Sequence, residues 1–229
     1  MAALAEIPFT SIGIIDDDAG DTEVRKYQIE EVGVQPMVFA EGFKNLSDLA
    51  QQVRLANVQG VICDHRLRVR NYAPFNGAQA VAHLFDMGMP AVLISKYTQI
   101  DVEANIRPYR SKIPVLLPKD DLDPDALISA LNRCRLELAG TIAPSRRARR
   151  TLVRIDEIDG ELIDAFIPAW NPNEAVRFPL SVIPEQYRSK LKQDDRFFAR
   201  VNIDAESAGE LFFLDFQLAP AVESKDDIF

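Results

Sequence analysis

Four short apolar runs in the first 140 residues each end on a side chain able to do chemistry. SIGIID stops at Asp16, GVICD at Asp64 and AVLIS at Ser95, while IPVLLPK runs into Lys119. Longer helical patterns separate these runs. Parallel neighbours need such crossovers, so the alternation calls for a parallel sheet covered by helices on both faces. Strands are expected at residues 11–16, 35–40, 60–64, 91–95 and 113–117. Ala78, Val81, Ala82 and Phe85 recur at i, i+3, i+4, i+7, and Leu127, Ala130, Leu131, Cys134 and Leu138 keep that period over three turns. Both segments are therefore amphipathic helices, with Cys134 on the apolar stripe. The helix after the first strand has a less regular stripe, and the pattern near residues 101–107 is short and broken by Pro108.

Beyond residue 140 the character changes. Residues 1–140 carry −5, residues 141–150 carry +4 and residues 151–229 carry −8. The basic stretch TIAPSRRARR holds a proline and no apolar periodicity, so 141–150 is expected to be a solvated linker. After it, residues 151–158 and 161–167 flank Asp159-Gly160, a hairpin turn signal. Further strands are expected at 175–180, 197–203 and 212–218, with a short helix within 184–192. About five antiparallel strands in so short a region close most simply as a small barrel. The fold class expected is thus α/β with a doubly wound five-stranded parallel sheet over 1–140, followed over 151–229 by a small, mainly antiparallel β-barrel, SH3-like or OB-like. Trp170, in the loop PAWNPNE, is a candidate contact residue.

Charge and composition exclude several functions. With 26 Lys and Arg against 35 Asp and Glu, the net charge is −9, the wrong sign for broad capture of nucleic acid or anionic lipid. Residues 151–229 show no helix-turn-helix pattern, so nucleic acid is not an expected partner. No run approaches the roughly 18 apolar residues of a spanning helix. The first residues lack the basic and apolar regions of a signal peptide, so a cytoplasmic location without membrane contact is expected. Cys63 and Cys134 fall on different elements and His65 and His83 are the only histidines, which supports neither a disulfide framework nor a multi-His metal site. His65 is expected to face solvent.

Carboxylates are left as the chemistry. In an open parallel sheet ligands bind beyond the carboxyl ends of the strands, where Asp16, Asp17, Asp64, Ser95 and Lys119 converge. Carboxylates 4 Å apart repel by about 4 kcal/mol per pair at an effective dielectric near 20. A divalent cation relieves this, and Mg²⁺ suits carboxylate and carbonyl oxygens.

Those residues, in that order, resemble the receiver domain of bacterial two-component response regulators over about residues 9–140. The resemblance rests on IIDDD at 14–18, VICD at 61–64, AVLIS at 91–95 and VLLPK at 115–119. It implies a phosphoacceptor at Asp64, an acidic pair for Mg²⁺ at Asp16 and Asp17, and a backbone carbonyl ligand from Arg66. It also implies a hydroxyl that follows the phosphoryl group at Ser95 and a lysine that pairs with it at Lys119. Arg66 and Tyr97 would flank the in-line approach of water, implying slow self-dephosphorylation. The chain departs from the family in three places. The loop DHRLRVRNYAPFNG is longer and more basic than usual, with Gly77 thirteen residues after Asp64; Pro118-Lys119-Asp120 replaces the usual Lys-Pro; and Leu116 stands where a switch aromatic is usual.

The function implied is that of a response regulator in a phosphorelay. A sensor histidine kinase or phosphotransfer protein would load Asp64, and the barrel would act on an effector protein. The protein would then be no enzyme beyond its own phosphoryl transfer, and a phosphorylation-dependent homodimer is compatible with this. The alternatives are a phosphate buffer or relay that only stores the group, and an unphosphorylated pseudo-receiver that binds partners.

Overall fold

The structure, a computed structural model, describes residues 9–68, 71–96, 101–120 and 122–220. Two compact units divide the chain, one of residues 1–101 and 109–143 and the other of residues 102–108 and 144–229.

The first unit holds strands β1 (Ser11–Ile15), β2 (Gln35–Val38), β3 (Gly60–Asp64), β4 (Ala91–Ser95) and β5 (Leu116–Pro118). They are all parallel and lie in the order β2-β1-β3-β4-β5. Every residue of β3 and β4 is buried, the signature of a sheet covered on both faces. The cover comes from α1 (Ala19–Glu31), α2 (Leu46–Leu55), α3 (Gly77–Asp86) and α4 (Pro124–Leu138). Each starts on a side chain that satisfies its first amides: Asp18, Asn45, Asn76 in a capping box with Gln79, and Asp123 ahead of Pro124. Leu127, Ala130, Leu131 and Cys134 of α4 pack with Ile12, Ile62 and Val92 in one core. Ala78, Val81 and Ala82 of α3 are buried as the periodicity requires, although Leu84, outside that pattern, is buried where Phe85 is only half-buried.

Among the described residues between β4 and β5 there is no α-helix. Residues Asp101–Ile106 form a π turn and Arg107–Lys112 a 3-10 segment. Pro108 accounts for the break between them, since it lacks the amide donor that a continuing helix would use.

The second unit is built on β6 (Arg149–Asp159), β7 (Leu162–Ile167), β8 (Asn171–Pro179), β9 (Arg196–Val201) and β10 (Phe213–Leu218), with the short helix α5 (Glu185–Arg188). One antiparallel sheet runs β10-β9-β6-β7-β8. Val153, Ile155, Ile163, Ala165, Phe178 and Phe197 form its buried face. The sheet curls around that core, because Phe178 on one end strand lies 4.7 Å, ring to ring, from Phe213 on the other. No ladder between β8 and β10 closes it among the described residues. The first hairpin turns at Gly160-Glu161, one residue later than expected, with Gly160 at the positive φ of 58° that primed turns need.

Residues 102–108 join this second core through Arg107. Its guanidinium, 4 % exposed, donates to the carbonyls of Ala208 at 2.5 Å and Leu211 at 2.9 Å.

One expectation needs correction here. The stretch 141–150 is not a solvated linker throughout: Arg146 is buried against the Phe212 ring at 5.0 Å, and Arg149 and Arg150 open β6, with Arg150 stacked on Phe198 at 3.6 Å. Arginine stems and planar heads cover apolar surface well, so a basic run can be part of a sheet. Trp170 is half-buried rather than free in its loop. It packs on the second core and donates its indole N–H to the Ala205 carbonyl at 3.0 Å.

Candidate functional site

The site forms where β1, β3, β4 and β5 end. Asp16 and Asp17 follow β1, Asp64 closes β3, Ser95 closes β4 and Lys119 follows β5. Parallel order puts these four ends side by side. A cavity of about 200 Å³ there is lined by Asp17, Asp18, Asp21, Asp64, His65, Arg66, Ser95, Lys96 and Lys119.

Asp64 is 6 % exposed and both its oxygens are engaged: Oδ1 accepts from Lys119 Nζ at 2.8 Å and Oδ2 from the Arg66 amide at 2.7 Å. Asp16 accepts from the Asp18 amide at 2.9 Å and from Lys119 Nζ at 3.0 Å. Asp18 is the α1 N-cap, so the triple aspartate divides between a helix start and the site. Burial raises the Asp16 carboxyl above its ordinary range, with the Asp64 charge adding to the rise and the Asp18 amide and Lys119 opposing it. Burial would lower the Lys119 ammonium, yet the hydrogen bonds it donates to Asp21 and Asp64 hold it above its ordinary value.

Oxygen atoms of Asp16, Asp17 and Asp64 lie within 4.8 Å of one another. Hard oxygen donors so arranged fit Mg²⁺ and similar cations. Ser95 is 1 % exposed, and its Oγ has no hydrogen-bond partner among the described residues. A buried hydroxyl in that state on a cavity wall is suited to an incoming oxyanion.

The longer loop after β3 still returns to the site. At Gly77 an added Cβ would lie 2.0 Å from the Asp64 carbonyl oxygen, and the Gly77 amide donates to the His65 carbonyl at 2.8 Å. Only glycine permits that approach, so α3 begins directly beneath the end of β3.

Asp16, Asp17, Asp64, Ser95 and Lys119 thus come together as their strand ends predicted. Arg66 sits on the rim with an exposed side chain, where its amide engages Asp64. Tyr97, the other residue expected to modulate the site, lies outside the described residues. His65 was expected in solvent but is 3 % exposed, because its carbonyl receives Gly77 and its amide bonds Ile94 of β4, which draws the residue inward.

Three residues of α1 were not singled out in the sequence. Asp21 bonds Lys119 Nζ at 2.7 Å, Arg25 donates to the Lys119 carbonyl at 2.8 Å and Gln28 donates to the Leu122 carbonyl. Asp21 and Arg25 stand at i, i+4, which reads as an ordinary surface pair on a helix. Arg25 is in fact 5 % exposed.

No family model matches this chain, and no curated protein matches it. Similar solved structures include a response regulator receiver domain protein from Clostridium thermocellum, with 14 % identity, a TM-score of 0.43 and coverage of 56 % of this chain and 95 % of that one. Another is the N-terminal domain of a response regulator/sensory box/GGDEF 3-domain protein from Carboxydothermus hydrogenoformans, at 16 %, 0.44, 57 % and 98 %. A third is the Thermotoga maritima response regulator protein TrrA in complex with Mg²⁺-BeF, at 13 %, 0.42, 55 % and 98 %. By its own strand order the first unit has the doubly wound, flavodoxin-like fold that chemotaxis-type receivers share, and the curled antiparallel sheet is assigned to no family.

Proposed function

We propose that the first unit accepts a phosphoryl group on Asp64 and that the protein acts as a response regulator, with the second unit engaging an effector protein. The observation that carries this reading is the buried Ser95 hydroxyl, facing the same cavity as Asp64 and Lys119 with no hydrogen-bond partner among the described residues. A transferred phosphoryl group brings the oxygens that such a hydroxyl and ammonium would bind.

In the step itself an Asp64 oxygen attacks phosphorus in line, and the bond from phosphorus to a phosphohistidine nitrogen breaks. That nitrogen keeps the electron pair of the broken bond. Lys119 and Ser95 donate hydrogen bonds to the transferred oxygens. Asp16, Asp17 and Asp64, with the Arg66 carbonyl, would hold Mg²⁺, which when bound neutralises charge on those oxygens. The backbone amide of Arg66 keeps the Asp64 side chain oriented before transfer.

The donor is then a sensor histidine kinase or a phosphotransfer protein, and the protein turns over no other substrate. No described helix is long and apolar enough to cross a membrane. A cytoplasmic site of action remains part of the proposal. Phosphotransfer from candidate histidine kinases to the wild type and to Asp64→Asn tests it: label on the first and none on the second is expected. Equal labelling of both would end the reading.

A further inference from the structure

Lys119 is gripped at both ends by α1. Its ammonium has three hydrogens and three carboxylate partners: Asp16 at 3.0 Å, Asp64 at 2.8 Å and Asp21 at 2.7 Å. Asp16 and Asp64 belong to the oxygen cluster suited to a cation, whereas Asp21, in the first turn of α1, does not. One turn further on, Arg25 Nη2 donates to the Lys119 carbonyl at 2.8 Å while its Nη1 bonds Gln28 at 2.6 Å. Gln28 in turn holds the Leu122 carbonyl, so one face of α1 pins the loop that carries the lysine. The Lys119 amide is fixed separately, to the Ser95 carbonyl at 2.9 Å.

A buried guanidinium is an expensive way to tie down a loop: its hydrogen bonds go to neutral oxygens, and the nearby charges of Asp21, Asp16, Asp64 and Asp120 offset only part of the desolvation cost. Burial accordingly lowers the Arg25 guanidinium below its ordinary value. Its position is intelligible if what matters is where Lys119 points.

We propose that Asp21 and Arg25 are positioning residues for Lys119 in phosphoryl transfer, an inference that rests on Asp64 being the phosphoacceptor. When a cation and the phosphoryl group engage Asp16 and Asp64, two of the three ammonium partners are drawn into new bonds. Asp21 is outside the cation cluster and keeps one N–H, so the ammonium stays aimed at the transferred oxygens. Arg25 holds the main chain from which the side chain starts. A lysine left to its own rotamers would forfeit part of that orientation.

The test uses the full chain with acetyl phosphate and Mg²⁺, following the rate of phosphoryl gain against donor concentration. Asp21→Ala and Arg25→Met are each expected to lower the maximal rate about tenfold, the scale of one lost charge-assisted hydrogen bond. The half-saturating Mg²⁺ concentration should change by less than about twofold, because neither residue is a ligand. In a Lys119→Met background neither change should lower the rate further, since both act through the lysine. Asp21→Asn, which keeps the shape and an acceptor, should recover part of the loss. An unchanged or higher rate, an equal loss in the Lys119→Met background, or a matching loss of Mg²⁺ affinity overturns the proposal. A wild type that takes no phosphoryl group at all brings down the phosphoacceptor reading itself, whereas a wild type that does so at the same rate as Asp21→Ala brings down only the positioning role.

Discussion

Adding Mg²⁺ to the metal-free protein should raise the melting temperature of the first unit. Asp16, Asp17 and Asp64 offer oxygens within 4.8 Å of one another. At that separation and an effective dielectric near 20, each ionised pair repels by about 3.5 kcal/mol. Lys119 offsets part of this through its bonds to Asp16 and Asp64, and burial keeps the Asp16 carboxyl above its ordinary range. A bound divalent cation removes the remainder. At a hundredfold excess over its dissociation constant, binding to the folded state alone contributes about 2.7 kcal/mol. For a unit of this size 1 kcal/mol moves the midpoint by about 3–5 °C, so the shift should be about 8–13 °C. Calorimetric melts with and without saturating Mg²⁺ read it directly. Asp17→Asn should lose most of the shift, and Lys119→Met should melt lower without metal yet gain more from Mg²⁺. No shift in the wild type, or the same shift in Asp17→Asn, would refute the reasoning.

Three further outcomes follow from the geometry. Gly77→Ala forces a methyl against the Asp64 carbonyl oxygen, so it should destabilise the first unit by several kcal/mol, on the scale of other severe backbone clashes, and weaken the Mg²⁺ response; denaturant melts and Mg²⁺ titration would expose a neutral substitution. The folded-state pKa of Asp16 is raised above the ordinary 3.8, so its contribution to stability is present below that value and is lost as pH rises through the raised one. Without metal, Asp16→Asn should therefore be more stable than the wild type at pH 7 and should lose that advantage at pH 3, and denaturant melts showing the reverse order would contradict this. Arg66 sits on the rim of the cavity, and Arg66→Asn should speed phosphate release from the phosphorylated protein; an unchanged rate would remove Arg66 from any shielding of the acyl phosphate.

Much of the first unit was legible because buried parallel strands read as unbroken apolar runs. Residues 60–64 and 91–95 match β3 and β4 end to end for that reason. The fifth strand starts later than its apolar run: Ile113 and Val115 are buried like strand residues, but Pro114 between them has no ladder donor, and pairing starts at Leu116. The site residues at strand ends were legible because topology alone brings them together. Asp21 and Arg25 were not, since helical spacing made a buried grip look like a surface pair. In the second unit alternation found the strands, while the burial of Arg146 and the stacking of Arg150 on Phe198 depend on ring contacts that no local pattern records.

The central claim is that Asp64 takes the phosphoryl group. Incubating the full chain with acetyl phosphate and Mg²⁺, then locating the modification by mass spectrometry after borohydride trapping of the acyl phosphate, tests it most directly. The account predicts a single modified residue, Asp64, with the signal lost in Asp64→Asn and on chelation of the metal. Modification elsewhere that persists in Asp64→Asn, or none in the wild type, would contradict it.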